Sequence, residues 1–315
     1  MELDFDFSPK APLTKVFNSL SVERGIEVYM LREDLVGGDI QGNKWRKLRL
    51  HLHSARQESQ QTLLSFGGVW SNHIYAVAAA GKAFGFQTIG IIRAEEPEGS
   101  TETLEFAKQC GMKLQFVSRA EYGEREQDYF KAWLHDIHGS FHLIPEGGAD
   151  FLGLNGCMDI LSDHTRAFDV ITVPCGTGTT LAGMLLSMQP RQRFIGFSAV
   201  KGGAYLEDEI ITKLNYFLMD RASAEEYRAF FKMETDYAFG GFAKVNDDLI
   251  QFMRSFYEED QIKLDPVYTG KMMFGLKEMI MNGRFVPGTK VLAIHTGGLQ
   301  GIKGIEKKGG RELYY

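Results

Sequence analysis

No stretch of this chain reaches the ~18 consecutive apolar residues that a membrane-spanning helix needs, so a membrane protein of that kind is not expected. A basic surplus is missing too. The formal net charge is −6, whereas a face for nucleic acid or an anionic bilayer would want the opposite sign. Cysteine is scarce: Cys110, Cys157 and Cys175 are odd in number and show no paired spacing, which points to a reduced, cytoplasmic compartment. The opening residues MELDFDFSPK lack the apolar core of a signal peptide. Internal repeats, low-complexity tracts and obvious linkers are also absent.

What is present suits a globular protein. Hydrophobic residues make up 44% of the chain and charged residues 24%, enough apolar surface to make disorder an unlikely ground state. At 315 residues the chain exceeds what one core usually fills, so two packed units are expected. Short apolar runs alternate with helix-period stretches. TLLSFGG (62–68) precedes SNHIYAVAAAGKAFG (71–85), QTIGIIRA (87–94) precedes STETLEFAKQCG (100–111), and KLQFVS (113–118) precedes a helix containing Trp133. FHLIPEGG (141–148) leads into FLGLNGCMDILSDH (151–164), and FDVITVPCGTG (168–178) leads into TTLAGMLLSM (179–188). RFIGFSAV (193–200) and KVLAIHTGG (290–298) complete the series. Such alternation predicts an α/β fold with parallel sheets covered on both faces. Residues 206–243 are charged and aromatic and give no clear element pattern.

Ligands in open α/β sheets collect at the carboxyl ends of strands, where glycine-rich turns enter helices. Four such places stand out. In VPCGTGTTLAG (173–183), Gly176, Thr177, Gly178, Thr179 and Thr180 follow an apolar run and open a helix, a pattern that suits a single phosphate. A dinucleotide site would want an acidic residue about 20 positions on, where RFIGFSAV ends in Val200 and Lys201. A triphosphate loop would want Gly-Lys-Ser/Thr, which is missing. In GGDIQGNKWRKL (37–48), Lys44 opens a helix, where the positive end of the dipole lowers an amine's pKa, although a solvated lysine on a basic face is an equally open reading at that point. Lys47 and Arg49 read as members of a solvated basic face. In FGGVWSNHIYAVAAAG (66–81), Ser71, Asn72 and His73 sit at a helix start and could receive a carboxylate; the plainer reading is an N-cap beside a surface histidine. Tyr268 in DPVYTGKMMFGL and Thr296 in AIHTGG, each read alone, mark turns. His135, His138 and His142 cross a glycine and a strand start, so no helical face presents all three and no metal site is expected. His51 and His53 read as surface, and Cys175 as a buried, inert thiol.

In order and spacing, Lys44 in GNKWRKL, Ser71-Asn72-His73, the GTGTT loop, DPVYTGK and HTGG resemble the D-cysteine desulfhydrase / 1-aminocyclopropane-1-carboxylate (ACC) deaminase family of fold-type II pyridoxal-phosphate (PLP) enzymes, from about Arg32 to Gly298. The resemblance implies two three-layer open-sheet domains of the tryptophan synthase β type, a large one from residues 1–49 and 158–315 and a small inserted one from 50–157. It implies Lys44 as the Schiff-base lysine, Gly176–Thr180 as the phosphate cup, Asn72 at the cofactor, and Ser71, Asn72 and His73 for the substrate carboxylate. Tyr268 then matches the active-site tyrosine, Thr296 faces the pyridine nitrogen, and Tyr237 in DYAFGGF stands near a second tyrosine position. Departures from the family pattern fall at Trp70, Tyr75, Ala76 and Thr269, the last where ACC deaminases carry glutamate, and Trp70, Tyr75 and the Tyr237 segment are expected to reshape the pocket. The implied activity is α,β-elimination from a small D-amino acid such as D-cysteine, by a homodimer without nucleic-acid or membrane partners. ACC ring opening is the alternative within the family. A nicotinamide-dependent oxidoreductase and a non-catalytic PLP- or amino-acid-binding protein are the alternatives outside it.

Overall fold

Two separate sheets carry the strand–helix alternation. The computed structural model describes residues 8–95, 101–310 and 312–314, so Ser100 of the expected 100–111 helix lies outside the described residues. The strands are β1 (Leu13–Lys15), β2 (Glu27–Leu31), β3 (Thr62–Gly68), β4 (Gln87–Arg93), β5 (Lys113–Val117), β6 (His142–Ile144), β7 (Val170–Cys175), β8 (Arg193–Ser198), β9 (Phe231–Glu234) and β10 (Lys290–Ile294). Six form one sheet in the order β1-β2-β10-β7-β8-β9, and four form the other in the order β5-β4-β3-β6. Among the described residues every pairing is parallel except β1 with β2.

The smaller sheet draws all its strands from residues 62–144, and the larger draws its own from both sides of that span. The helix Asn43–Gln57 crosses from one to the other. Three strands, β1, β2 and β9, had no clear sequence signature. β9 lies in the unparsed 206–243 stretch, which otherwise folds into the helices Leu206–Leu218 and Arg221–Glu226. The expected 151–164 helix stops at Cys157 and continues as a tighter turn, Met158–Ile160.

The unalternated strands are apolar because both faces are covered. In β10, Leu292 and Ile294 face a core shared with the smaller sheet's helices, while Val291 and Ala293 face a second core under the helix Thr269–Met281. In β3, Leu63 joins the shared core and Leu64 and Phe66 join a third, beyond the smaller sheet. The shared core runs from the helix Asn72–Phe84 to β7, so the two sheets are packed against one continuous core.

Parallel order also explains which turns meet. β10 lies beside β7, so their carboxyl ends, and therefore Thr296 and Gly176, come together across 120 residues of sequence. β3 lies beside β6 in the same way, bringing the Gly68–Ser71 turn to the Pro145–Gly148 turn. A cleft between the two sets of strand ends follows.

Candidate active site

That cleft has a volume of about 920 Å³. Lys44, Ser71, Asn72, His73, Gly176, Thr177, Gly178, Thr179, Thr180, Tyr268 and Thr296 all line it.

Lys44 is half-buried in the first turn of the helix Asn43–Gln57. Burial and then the neighbouring Lys47 ammonium lower its pKa to about 7, so the amine is available as a free base near neutrality. The start of this helix is fixed by contact with β10's end. Gly42 has φ 61°, and a Cβ there would sit 2.2 Å from the Thr296 carbonyl oxygen. Asn43 donates its backbone N–H to that same oxygen (3.3 Å) and its side-chain amide to Thr180 Oγ1 (3.0 Å). The helix that carries Lys44 is therefore bonded, through Asn43, to both the glycine cup and Thr296.

The cup itself is a turn between β7 and the helix Thr179–Leu186. Gly178 takes φ 75°, and a Cβ on it would press into Ile210 at 2.7 Å. Gly176 leaves room for the Tyr268 ring, which lies 3.2 Å from where its Cβ would be. Thr177 and Thr179 share a hydroxyl hydrogen bond of 3.0 Å. With Gly178 as N-cap and no side chain capping it, this helix keeps its first amides for an anion.

Tyr268 is set by Asp265, whose buried carboxylate accepts from the backbone N–H groups of Val267, Tyr268 and Thr269 and from the Thr269 hydroxyl. Burial and the Asp265 charge push the phenol's pKa upward, keeping it protonated. Across the cleft, Ser71 caps the helix Asn72–Phe84 by accepting from His73 and Ile74 N–H at 3.2 Å each. Asn72 packs against Gly298 and Gly301, beyond β10.

Several expectations require correction. His73 is no surface residue: it is buried, its Nε2 bonds Ser65 Oγ at 2.9 Å, and burial beside Lys44 and Lys47 holds it neutral. Lys47 is not solvated; it is buried in the cleft wall, donates to the Gly147 carbonyl (3.2 Å), and has a pKa lowered by desolvation. Arg49 is half-buried and pairs with Asp159. His51 is fully buried between His142 (3.1 Å) and Asp150 (3.1 Å).

Tyr237 is not among the residues lining the cleft, because its ring packs against Phe197, Phe274 and the bare backbone of Gly275 in the second core. Tyr75 likewise does not line the cleft and stacks on Phe106, and Thr269 turns its hydroxyl onto Asp265. Of the substitutions expected to reshape the pocket, Trp70 lines it, its ring lying 2.6 Å from where a Cβ on Gly304 would be. Cys175 is buried, and its thiol is pushed up to about 12. His135, His138 and His142 bond separately to Gly139 O, Gln115 and Glu58. Asp265 and Lys47 escaped sequence reasoning. The Asp-Pro turn before Tyr268 was a usable signal for the first, and the three-residue spacing from Lys44 for the second.

The family described as pyridoxal-phosphate dependent enzyme matches residues 9–297. The chain belongs to that family. A putative 1-aminocyclopropane-1-carboxylate deaminase of Pyrococcus horikoshii is 30% identical over 296 residues, covering 90% of this chain and 88% of that protein. The mitochondrial bifunctional D-cysteine desulfhydrase/1-aminocyclopropane-1-carboxylate deaminase of Arabidopsis thaliana is 27% identical, covering 91% and 76% respectively. Among solved structures, an ACC deaminase homologue superposes with a TM-score of 0.78 at 27% identity, over 96% of this chain and 93% of that one. An O-ureido-L-serine synthase, at 15% identity and TM-score 0.68, shares the fold. The fold is thus PLP fold type II and the protein a PLP-dependent enzyme of the lyase and deaminase group. The residues fit the cofactor: the uncapped glycine turn suits a phosphate, and an amine with a pKa near 7 suits an aldehyde. Among the described residues, no helix is long and apolar enough to cross a membrane.

Proposed function

We propose that this enzyme converts a small D-amino acid with a β-leaving group, D-cysteine first among them, to a keto acid and ammonia. The observation that carries this reading is the Lys44 amine, lowered to about pKa 7 and joined through Asn43 to the glycine cup and to Thr296. Pyridoxal phosphate bound there supplies an electron-withdrawing ring to the substrate's Cα. Gly176–Thr180 would hold its phosphate through amides and hydroxyls, Asn72 would flank it, and Lys44 would bear its covalent attachment.

The chain's own groups then have distinct tasks. Once the substrate's amine has displaced it from the cofactor, Lys44 would be a free base placed to remove the Cα proton. The Ser71 oxygen already accepts two backbone bonds, so its hydrogen remains to donate to the substrate carboxylate, with Asn72 and His73 beside it. The Tyr268 phenol stays protonated and serves as a proton donor in the cleft. Thr296, at the cleft, would offer the cofactor's ring a neutral hydroxyl where the family pattern puts the pyridine nitrogen, which would suit prompt loss of the β-substituent. For D-cysteine, water is consumed, and pyruvate, ammonia and hydrogen sulfide are the products.

ACC ring opening, the activity for which the Pyrococcus horikoshii relative is named, is the second reading. The buried Thr269, committed to Asp265, cannot stand in for the glutamate that ACC deaminases carry there, which favours elimination. A panel of D- and L-cysteine, β-chloroalanine, serine and ACC, scored for keto acid and ammonia, tests this. Turnover of ACC above D-cysteine overturns the order.

The division into a large domain (1–49 and 158–315) and a small inserted one (50–157) is also proposed, supported by the separate strand origins of the two sheets. A homodimer in a reduced cytoplasm completes the reading. Sedimentation of the purified protein checks the first part.

A further inference from the structure

Among the described residues, Lys271 is a buried cation with no evident task in the chemistry. Lys271 lies in the helix Thr269–Met281, below Tyr268, and is 1% exposed. Its Nζ donates to the carbonyls of Ala238 (2.8 Å), Gly241 (2.8 Å) and, more weakly, Ala199 (3.5 Å). A buried ammonium needs such partners, because an unpaired one would favour unfolding or neutralisation. Burial lowers its pKa to about 8 even with Asp265 nearby.

The turn it holds is strained. From Phe239 to Ala243 the backbone takes φ values of 50°, 88° and 120° at Phe239, Gly240 and Gly241, and 54° at Ala243. Two of those residues carry side chains that disfavour this region, so the conformation persists only if neighbours hold it. Two turn bonds, Gly241 N–H to Ala238 O and Lys244 N–H to Gly241 O, use the same carbonyls that converge on Lys271. Phe239 anchors one side edge-on to Phe274. The other side carries Phe242, which is 57% exposed and lies edge-on to the Tyr268 ring, both residues lining the cleft.

We propose that Lys271 is a positioning residue: by gathering three backbone carbonyls it fixes the Ala238–Ala243 turn, and so holds Phe242 against Tyr268 at the cleft wall. This rests on the reading that Tyr268 faces the substrate. Phe242 then sets the space beside the phenol, and Lys271 sets Phe242.

The test compares Lys271→Met, Lys271→Gln and Phe242→Ala with the wild-type holoenzyme, by amide hydrogen exchange and by steady-state kinetics. Lys271→Met keeps the side chain's bulk and removes its donors, so exchange across residues 236–245 should quicken by about tenfold or more. KM should rise about tenfold with kcat within about threefold, since only placement is lost. Lys271→Gln, which keeps two N–H donors, should regain part of the protection. Phe242→Ala should raise KM without loosening the turn. Unchanged exchange in Lys271→Met, or a loosened turn with unchanged KM, overturns the proposal. If the Met variant does not fold, equal KM in Phe242→Ala and wild type does the same. The exchange measurement needs no substrate, so it stands or fails separately from the choice of amino acid.

Discussion

Two of the helices that open onto the cleft begin in opposite ways. The helix Asn72–Phe84 is started locally: Ser71 lends its oxygen to two N–H groups within three residues. The helix Asn43–Gln57 has no side-chain cap, and its start is dictated by a segment more than 250 residues away, where Thr296 O presses against the bare Cα of Gly42. The first start can be altered at modest cost because only its own turn depends on it. The second cannot, because the same contact places Lys44 beside the glycine cup. Lys44, assigned to the cofactor, rests on long-range backbone contact, and Ser71, assigned to the substrate carboxylate, on local capping.

The largest expected effect lies at the long-range start. Lys44→Ala should abolish borohydride-trappable cofactor and lower kcat/KM by about a thousandfold or more, with the circular dichroism spectrum unchanged. Borohydride labelling of Lys47 in the wild type, the other cleft lysine on that helix, would break the assignment. Next comes Gly42→Ala. Its methyl would meet Thr296 O at 2.2 Å on a backbone already at φ 61°, so a loss of about 3 kcal/mol or more of stability is expected, with weakened cofactor retention. An unfolding free energy within about 1 kcal/mol of wild type would show that the contact relaxes and that the two helix starts are alike.

The same contrast decides what the sequence could reveal. Unalternated strands such as VITVPC and KVLAI, and the glycine turns after them, were legible because burial on both faces and positive φ leave marks in residue choice. Ser71 was legible as a cap for the same reason. Lys47 and His51 were not. Helix periodicity shows which face a residue shares, but not that the turn Gly147–Gly148 and the strand β6 would cover that face. The short strands β1, β2 and β9 were missed where a few residues carry too little pattern. Tyr237 was placed near the site by motif position, and the second core claimed it instead.

A smaller effect is expected at the locally started helix. Ser71→Ala removes a cap, which typically costs about 1 kcal/mol, and removes the donor proposed for the substrate carboxylate. The kcat/KM on the true substrate should fall about tenfold or more, as loss of a hydrogen bond to a charged group implies. The stability loss should stay well below that of Gly42→Ala. Lowered stability with unchanged kcat/KM would leave Ser71 with the capping role alone.

The smallest effect separates two tyrosines that the sequence placed together. Tyr268 lines the cleft, its backbone amide held by Asp265 and its ring against Gly176. Tyr237 packs at 5.9 Å from Phe197 and 6.5 Å from Phe274, where its ring contributes apolar surface. Phenylalanine keeps that surface, so Tyr237→Phe should leave kcat/KM within about twofold and stability within about 0.5 kcal/mol. Tyr268→Phe removes a proton donor from the cleft and should lower kcat by about a hundredfold. Measuring both on one substrate gives the comparison its sharpest form. Similar losses in the two variants would mean that Tyr237 reaches the reacting groups by a movement of the Ala238–Ala243 turn, and that the second core is not its working position.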